Sequence, residues 1–121
     1  MSPLVGDWVK ILDGLLPPAL AEEWDNVGLQ VGDSSWPADR ALVALDPTAE
    51  VVHEAADLRC GLLVTHHPLL FRPLARLDTS EPVGAVVAEA FSARVAVVAC
   101  HTNADAARPG VTDALAETLG L

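Results

Sequence analysis

Three histidines and one aspartate stand out in this chain because their types and spacing suit metal binding. His66 and His67 are adjacent and precede Pro68, and His101 is followed four residues later by Asp105. Zinc, iron, manganese and nickel all accept imidazole and carboxylate ligands. Adjacent histidines point to different sides if the backbone stays extended, so two ions could each take one of them. The spacing therefore suggests a dinuclear centre, a common device for activating water between two metals.

Cys100, beside His101, offers a different chemistry, namely a thiolate–imidazole nucleophile pair. Consecutive strand positions point to opposite faces, however, which orients such a pair poorly and favours a buried cysteine. The chain has one other cysteine, Cys60, so neither a disulfide framework nor a four-cysteine zinc site is expected. The remaining histidine, His53, falls inside a predicted helix, where we expect an exposed or capped side chain.

Short apolar runs that alternate with amphipathic helices must position these groups. Such alternation predicts an α/β domain with a parallel or mixed sheet and helices on both faces. The predicted strands cover 28–31, 41–45, 61–65 and 95–99. Polar residues follow the last three strands: Asp46, then His66 and His67, then His101. Because the carboxyl ends of parallel strands share one rim, these groups are expected to converge there.

The predicted helices carry recognisable start signals. They begin at Ser2-Pro3, at Thr48, at Thr79 or Ser80, and near residue 110. The first runs to Pro17-Pro18, the second from Ala49 to about Arg59, and the last to about residue 119. The buried face predicted for the first helix consists of Leu4, Trp8, Ile11, Leu12 and Leu15.

Length and composition limit the classes of function. A chain of 121 residues favours one domain, and a mean hydropathy of +0.35 predicts that part of its surface is covered, either by self-association or by a further part of the protein. The net charge of −10, with Lys10 as the single lysine, argues against binding nucleic acid or an anionic membrane. No signal peptide or membrane-spanning run is visible, so we expect a cytoplasmic protein.

Four segments resemble the dinuclear-metal-centre hexameric proteins, also named homologues of a type-two GTP cyclohydrolase I. They are WDNVGLQVG at 24–32, LVALDPT at 42–48, LLVTHHPLLF at 62–71 and HTNADAA at 101–107, the last followed by Gly110-Val111. The resemblance implies that His66 and His67 each take one metal and that Asp105 is a ligand, with His101 at the centre. It also implies that Trp24, Asp25 and Asn26 line or support the pocket.

The same resemblance implies that residues 1–121 are the N-terminal half of a longer fold, or else a naturally short variant whose site is completed by water or a neighbouring subunit. Family members have a second half that brings a His-x3-Glu pair to the centre, and they form hexamers. A metal-dependent hydrolase acting on a small molecule is the first hypothesis, with Asp46 or Asp25 orienting the water. The second hypothesis is a non-catalytic metal-binding or assembly module that serves storage, delivery or sensing.

Overall fold

A computed structural model describes the whole chain, residues 1–121. The predicted strands and helices occur in the predicted order, together with two short helices that were not predicted. The strands are β1 (Gly28–Val31), β2 (Ala41–Ala44), β3 (Leu62–Thr65) and β4 (Ala96–Ala99). The helices are α1 (Val5–Leu15), α2 (Ala49–Asp57), α3 (Pro82–Ala93), α4 (Thr102–Ala106) and α5 (Val111–Thr118), with a short 3-10 helix at Pro18–Leu20. None of the helices is both long enough and apolar enough to cross a membrane.

The four strands form one mixed sheet in the order β1-β4-β3-β2. Strands β2, β3 and β4 are parallel, and β1 pairs with β4 in the antiparallel sense. Ala44 pairs with Thr65, and Thr65 pairs with Ala99, so the three parallel strands end at the same level. The residues that follow these strands therefore share one rim of the sheet.

Helices cover both faces of the sheet, as the apolar strands predict. Leu63 and Val97 belong to the core that β3 and β4 share with α2 and α3. Leu62 and Val98 belong to the core on the opposite face, which α1 and α4 cover. Because neighbouring strand residues point to opposite faces, burial on both sides requires apolar side chains at every position. The α/β prediction is thereby confirmed.

Helix α1 begins later than its start signal predicts. Leu4 forms an isolated antiparallel bridge with Pro37, and the Pro3 carbonyl accepts a hydrogen bond from the Ala38 N–H at 2.8 Å. These pairings hold the chain extended where Ser2 was expected to cap a helix. The Leu4 N–H is instead capped by the Asp7 carboxylate at 2.8 Å.

The buried face of α1 also differs from the predicted one. Val5 N–H donates to the Trp36 carbonyl at 2.9 Å, and this contact fixes the rotation of the helix. The prediction was correct for Trp8 and Leu12, which pack on the core. It was wrong for Leu4, Ile11 and Leu15, which are exposed, while Val5, Val9 and Leu16 pack inward in their place.

Helix α3 begins at Pro82 without a side-chain cap, although Thr79 or Ser80 was predicted to cap it. The Ser80 N–H and hydroxyl both donate to the Asp78 carboxylate, at 2.9 and 2.6 Å, and close a turn before the helix. Local side-chain bonding of this kind competes with capping.

Candidate metal centre

The three predicted histidines lie together at the carboxyl ends of β3 and β4. One ring nitrogen from each of His66, His67 and His101 lies within 4.8 Å of the others. The ring centroid of His66 lies 5.2 Å from that of His67 and 5.1 Å from that of His101. No other group of three histidine, cysteine or acidic side chains in the chain meets in this way. This cluster is therefore the candidate metal site.

The backbone at His66 and His67 decides how both rings reach one centre. On an extended backbone they were expected to point to different sides, but β3 ends at Thr65 and the chain bends at both histidines. The buried Thr65 hydroxyl donates to the His67 carbonyl at 2.8 Å and holds this bend. The His67 N–H donates to the Leu45 carbonyl at 3.0 Å, which ties the bend to the end of β2.

Hydrogen bonds assign the tautomers of His66 and His101. The Nδ1 atom of His66 lies 3.0 Å from the Cys100 carbonyl oxygen, and Nδ1 of His101 lies 3.0 Å from Asp25 Oδ1. A carbonyl and an ionised carboxylate can only accept, so each Nδ1 must carry the proton. The Nε2 lone pair of both rings is then free to bind a metal ion.

His67 is oriented in the same way from the other side of the site. Its Nδ1 atom lies 2.6 Å from Oδ1 of Asp46, which follows the end of β2. Asp46 and the ring are each about half exposed, so this bond is accessible to water. The geometry places Asp46 behind the ring as its hydrogen-bond partner, whereas the sequence suggested that it orients water.

Asp105 approaches the cluster from α4. Its Oδ1 atom lies 3.8 Å from Nε2 of His66. Two ligands that each bind one ion at about 2.1 Å can be up to about 4.2 Å apart, so this pair can share an ion. The chain forms a helical turn at Asn103, whose side chain accepts from the His101 N–H and donates to the Leu16 carbonyl, both at 2.9 Å.

Asp25 is buried behind His101, and its side chain is 0% exposed. Its carboxylate accepts from the His101 ring, from the Thr102 N–H at 3.0 Å, from the Thr102 hydroxyl at 2.5 Å and from the Asn26 N–H at 2.8 Å. Burial alone raises the pKa of Asp25, but the hydrogen bonds from Thr102, His101 and Asn26 outweigh it and lower the pKa to about 2. Asp25 is therefore an anion at neutral pH and supports His101.

Thr102 is a residue of the site that the sequence analysis did not single out. Its hydroxyl donates to Asp25 and accepts from the Glu22 N–H at 2.9 Å, which joins the segment before β1 to the start of α4. The only sequence signal for it is its position between His101 and Asn103.

Cys100 is buried, and burial raises the pKa of its thiol, with a smaller contribution from Asp13. This environment opposes the thiolate that a nucleophile pair would need.

A groove opens beside His101. Its volume is about 660 Å³, and it is lined by Trp24, Asp25, Asn26, Leu70, Phe71, Arg72, Pro73, Leu74 and Leu77. The Asn26 side-chain amide donates to the Leu70 carbonyl at 2.6 Å, and the Leu70 N–H donates to the Gln30 side chain at 3.1 Å. These bonds hold the loop after His67 against the segment that precedes β1. Trp24 and Asn26 thus lie at the groove.

The donor set fits a transition-metal ion. It comprises three imidazoles with assigned Nδ1 protons and a carboxylate beside one of them. Two further carboxylates, those of Asp25 and Asp46, lie behind the rings and add negative charge near a bound cation. Nitrogen and oxygen ligands of this kind suit zinc, iron, manganese or nickel. The remaining histidine, His53, lies 3.2 Å from Glu89 on the surface and takes no part.

The chain is similar in sequence to several known proteins. The chain is 41% identical over 121 residues to the GTP cyclohydrolase 1 type 2 homolog of Mycobacterium tuberculosis, covering 100% of this chain and 31% of that protein. It is 44% identical over 119 residues to the protein of the same name from Streptomyces coelicolor, covering 98% of this chain and 42% of that one. The chain thus spans less than half the length of these relatives.

The fold is also found among solved structures. The Bacillus cereus protein related to NIF3 matches with a TM-score of 0.93 and 39% identity, over 99% of this chain and 33% of that one. The sequence pattern of one family, described as Duf34/NIF3 (NGG1p interacting factor 3), matches residues 3–121. Since that match includes every element from α1 to α5, the chain belongs to the Duf34/NIF3 family.

Proposed function

We propose that this chain supplies ligands to a dinuclear divalent-metal centre that hydrolyses a small-molecule substrate. The observation that carries the proposal is the shared orientation of the histidines. Each Nδ1 donates to an oxygen that can only accept, which leaves the Nε2 lone pairs for metal binding. Protonation at Nδ1 in all three rings is the tautomer that metal binding through Nε2 requires, and histidines that bind nothing would have no reason to share it.

The spacing of the ligand atoms supports two ions. One ring nitrogen from each of the three histidines lies within 4.8 Å of the others, close enough for the ligands of two neighbouring ions. His66 and Asp105, at 3.8 Å, suit one ion, and His67 on the other side suits a second. Two ions held by these residues would supply Lewis acidity and lower the pKa of bound water, so that it could act as a nucleophile at neutral pH.

The chain's own residues have distinct roles in this proposal. His66, His67, His101 and Asp105 would hold the ions, while Asp25 and Asp46 fix ring orientation and increase the basicity of Nε2. The groove beside His101 would hold the substrate close to the centre. The name of the relatives, GTP cyclohydrolase 1 type 2 homolog, supports a hydrolytic reaction on a ring.

Metal stoichiometry tests the centre. We expect about two equivalents of zinc or manganese per chain by elemental analysis after dialysis, and about one for His67→Ala. His53→Ala is the matched control, since His53 is an exposed histidine that pairs only with Glu89. Less than about half an equivalent in the unmodified chain would contradict the proposal.

Turnover separates the two functional hypotheses. The metal-loaded protein is assayed with a panel of phosphoesters and nucleotides, alongside His67→Ala and His53→Ala. We expect hydrolysis that His67→Ala abolishes and His53→Ala retains. Stoichiometric metal binding without turnover of any substrate would favour the non-catalytic module for storage, delivery or sensing.

We also propose that the chain self-associates. One face of α5 presents exposed apolar side chains at helical spacing, namely Val111, Leu115 and Leu119. Such a face is unfavourable in water unless another surface covers it. Sedimentation of the purified chain should show an oligomer that Leu115→Glu dissociates. A monomer at micromolar concentration would oppose this proposal.

A further inference from the structure

We propose that the groove beside His101 binds a planar aromatic ligand that carries an anionic group. The ring would lie in the corner between Trp24 and Phe71, and the anion would bind the Arg72 guanidinium. This inference rests on the proposed function, because it names the class of substrate that the centre would act on. It concerns three side chains, however, whose contacts do not depend on a metal.

The groove has the size and the position of a substrate site. Its volume of about 660 Å³ lies within the range of pockets that hold small organic ligands. The ring centroids of Trp24 and Phe71 lie 6.4 and 6.5 Å from that of His101. A ligand in contact with both rings would therefore have one end beside the histidine cluster.

Two exposed aromatic rings form the wall of the groove nearest the centre. Trp24 is 60% exposed and Phe71 is 44% exposed. Their centroids are 5.9 Å apart and their planes meet at 79°, so the rings form a right-angled corner. A planar ligand can stack on one ring while its edge meets the face of the other, the two arrangements that aromatic pairs prefer. Leu74 and Leu77, both exposed, extend this apolar surface.

The charge of the groove favours an anion. Arg72 lines it and forms no ion pair with any carboxylate of the chain, even though the net charge is −10. The one acidic side chain in the lining is that of Asp25, which is fully buried and already accepts four hydrogen bonds. A planar guanidinium with free donors binds carboxylate or phosphate groups in a bidentate manner.

Binding of three small probes to the metal-free protein tests the inference. The probes are 1-naphthyl phosphate, which is aromatic and anionic, 1-naphthol, which lacks the anion, and hexyl phosphate, which lacks the ring. Chelator is present so that phosphate cannot bind a metal ion. Calorimetry should show that 1-naphthyl phosphate binds at least tenfold more tightly than either other probe. A fourth probe, 1-naphthoate, distinguishes a carboxylate from a phosphate preference.

Matched variants assign the two halves of the ligand. Arg72→Gln should weaken 1-naphthyl phosphate at least tenfold and leave 1-naphthol unchanged, because charge-assisted bonds are lost. Phe71→Leu should weaken both aromatic probes about threefold to tenfold and leave hexyl phosphate unchanged. Arg76→Gln is the control, since Arg76 lies in the same loop but outside the lining of the groove.

Three results would overturn the inference. One is equal binding of 1-naphthyl phosphate by Arg72→Gln and by the unmodified chain. Another is an equal loss in Arg76→Gln, which would indicate general charge attraction. The third is no binding of any probe. Elemental analysis tests the metal centre separately. If the probes bind but the metal does not, the proposal for the groove stands and that for the metal centre fails. If the metal binds but no probe does, the proposal for the groove fails.

Discussion

Replacing Asp25 with asparagine tests whether the buried carboxylate controls metal binding through His101. The carboxylate accepts four hydrogen bonds, two at each oxygen, and its side chain has no exposed surface. An asparagine of the same shape has an NH2 group in place of one carboxylate oxygen. The two groups that donated to that oxygen must then face the NH2 group, which is itself a donor. If the NH2 group faces His101, the ring must accept at Nδ1 and carry its proton on Nε2, which removes the metal-binding lone pair.

The expected magnitude follows from the role of such partners. Removing the hydrogen-bond partner of a metal-binding histidine costs about 10- to 100-fold in metal affinity. That range equals about 1.4 to 2.7 kcal/mol of binding free energy. If the NH2 group instead faces Thr102, a buried N–H loses its acceptor, and the free energy of unfolding falls by about 1 to 3 kcal/mol. The first orientation therefore lowers metal affinity and leaves the exposed Asn26 N–H to bond with water, whereas the second lowers stability.

Competition with a fluorescent zinc chelator measures the dissociation constant, and urea unfolding of the metal-free protein measures stability. Asp46→Asn is the matched control, because Asp46 also bonds to a histidine Nδ1 but is about half exposed. Water can replace that bond, so we expect an affinity loss of about threefold or less. A zinc affinity for Asp25→Asn within twofold of the unmodified chain, with stability unchanged, would refute the assignment of His101 as a ligand through Nε2.

Three further predictions concern stability and protonation. Gly32 has φ +116°, and a Cβ there would lie 2.8 Å from the Ala96 Cβ. Gly32→Ala should therefore lower the free energy of unfolding, measured in urea, by about 1 to 3 kcal/mol. An unchanged urea midpoint would refute this prediction. Thr102→Val removes the hydroxyl that donates to Asp25, so the Asp25 pKa, measured by carboxyl NMR, should rise from about 2 towards 3.8. An unchanged pKa would show that the remaining donors are enough to keep it low. Because the folded pKa of Asp25 is below its unfolded value, the metal-free protein should keep this stabilisation above about pH 3.8 and lose it as pH falls towards 2. Urea midpoints across that range should therefore change less with pH in Asp25→Asn than in the unmodified chain.

Some features of the fold follow from local patterns. The strands over 41–44, 62–65 and 96–99 are continuous apolar runs, and such runs predict a sheet covered on both faces. The start of α2 is also local, because the Thr48 hydroxyl accepts from the Val51 N–H at 3.2 Å, three residues away. The start of α1 is different, since it depends on Pro37, which lies more than thirty residues further along the chain.

The sequence by itself determined which residue types reach the rim of the sheet. Neighbouring parallel strands that are followed by His66, His67 and His101 must bring those residues close together, whatever the details of the loops. It also determined the family, because the segments around these histidines lie within the matched residues 3–121. Strand periodicity and motif spacing are local properties, and they can be read without knowing any tertiary contact.

Only the tertiary structure decided how the histidines are oriented and what surrounds them. The bond between His101 and Asp25 joins residues 76 positions apart, and the bond between His67 and Asp46 joins residues 21 apart. The groove likewise arises where the segment at Trp24 meets the loop at Phe71. No local pattern specifies such pairs, because each depends on the packing of whole elements. The four residues first singled out by type thus become a candidate centre through contacts that only folding creates.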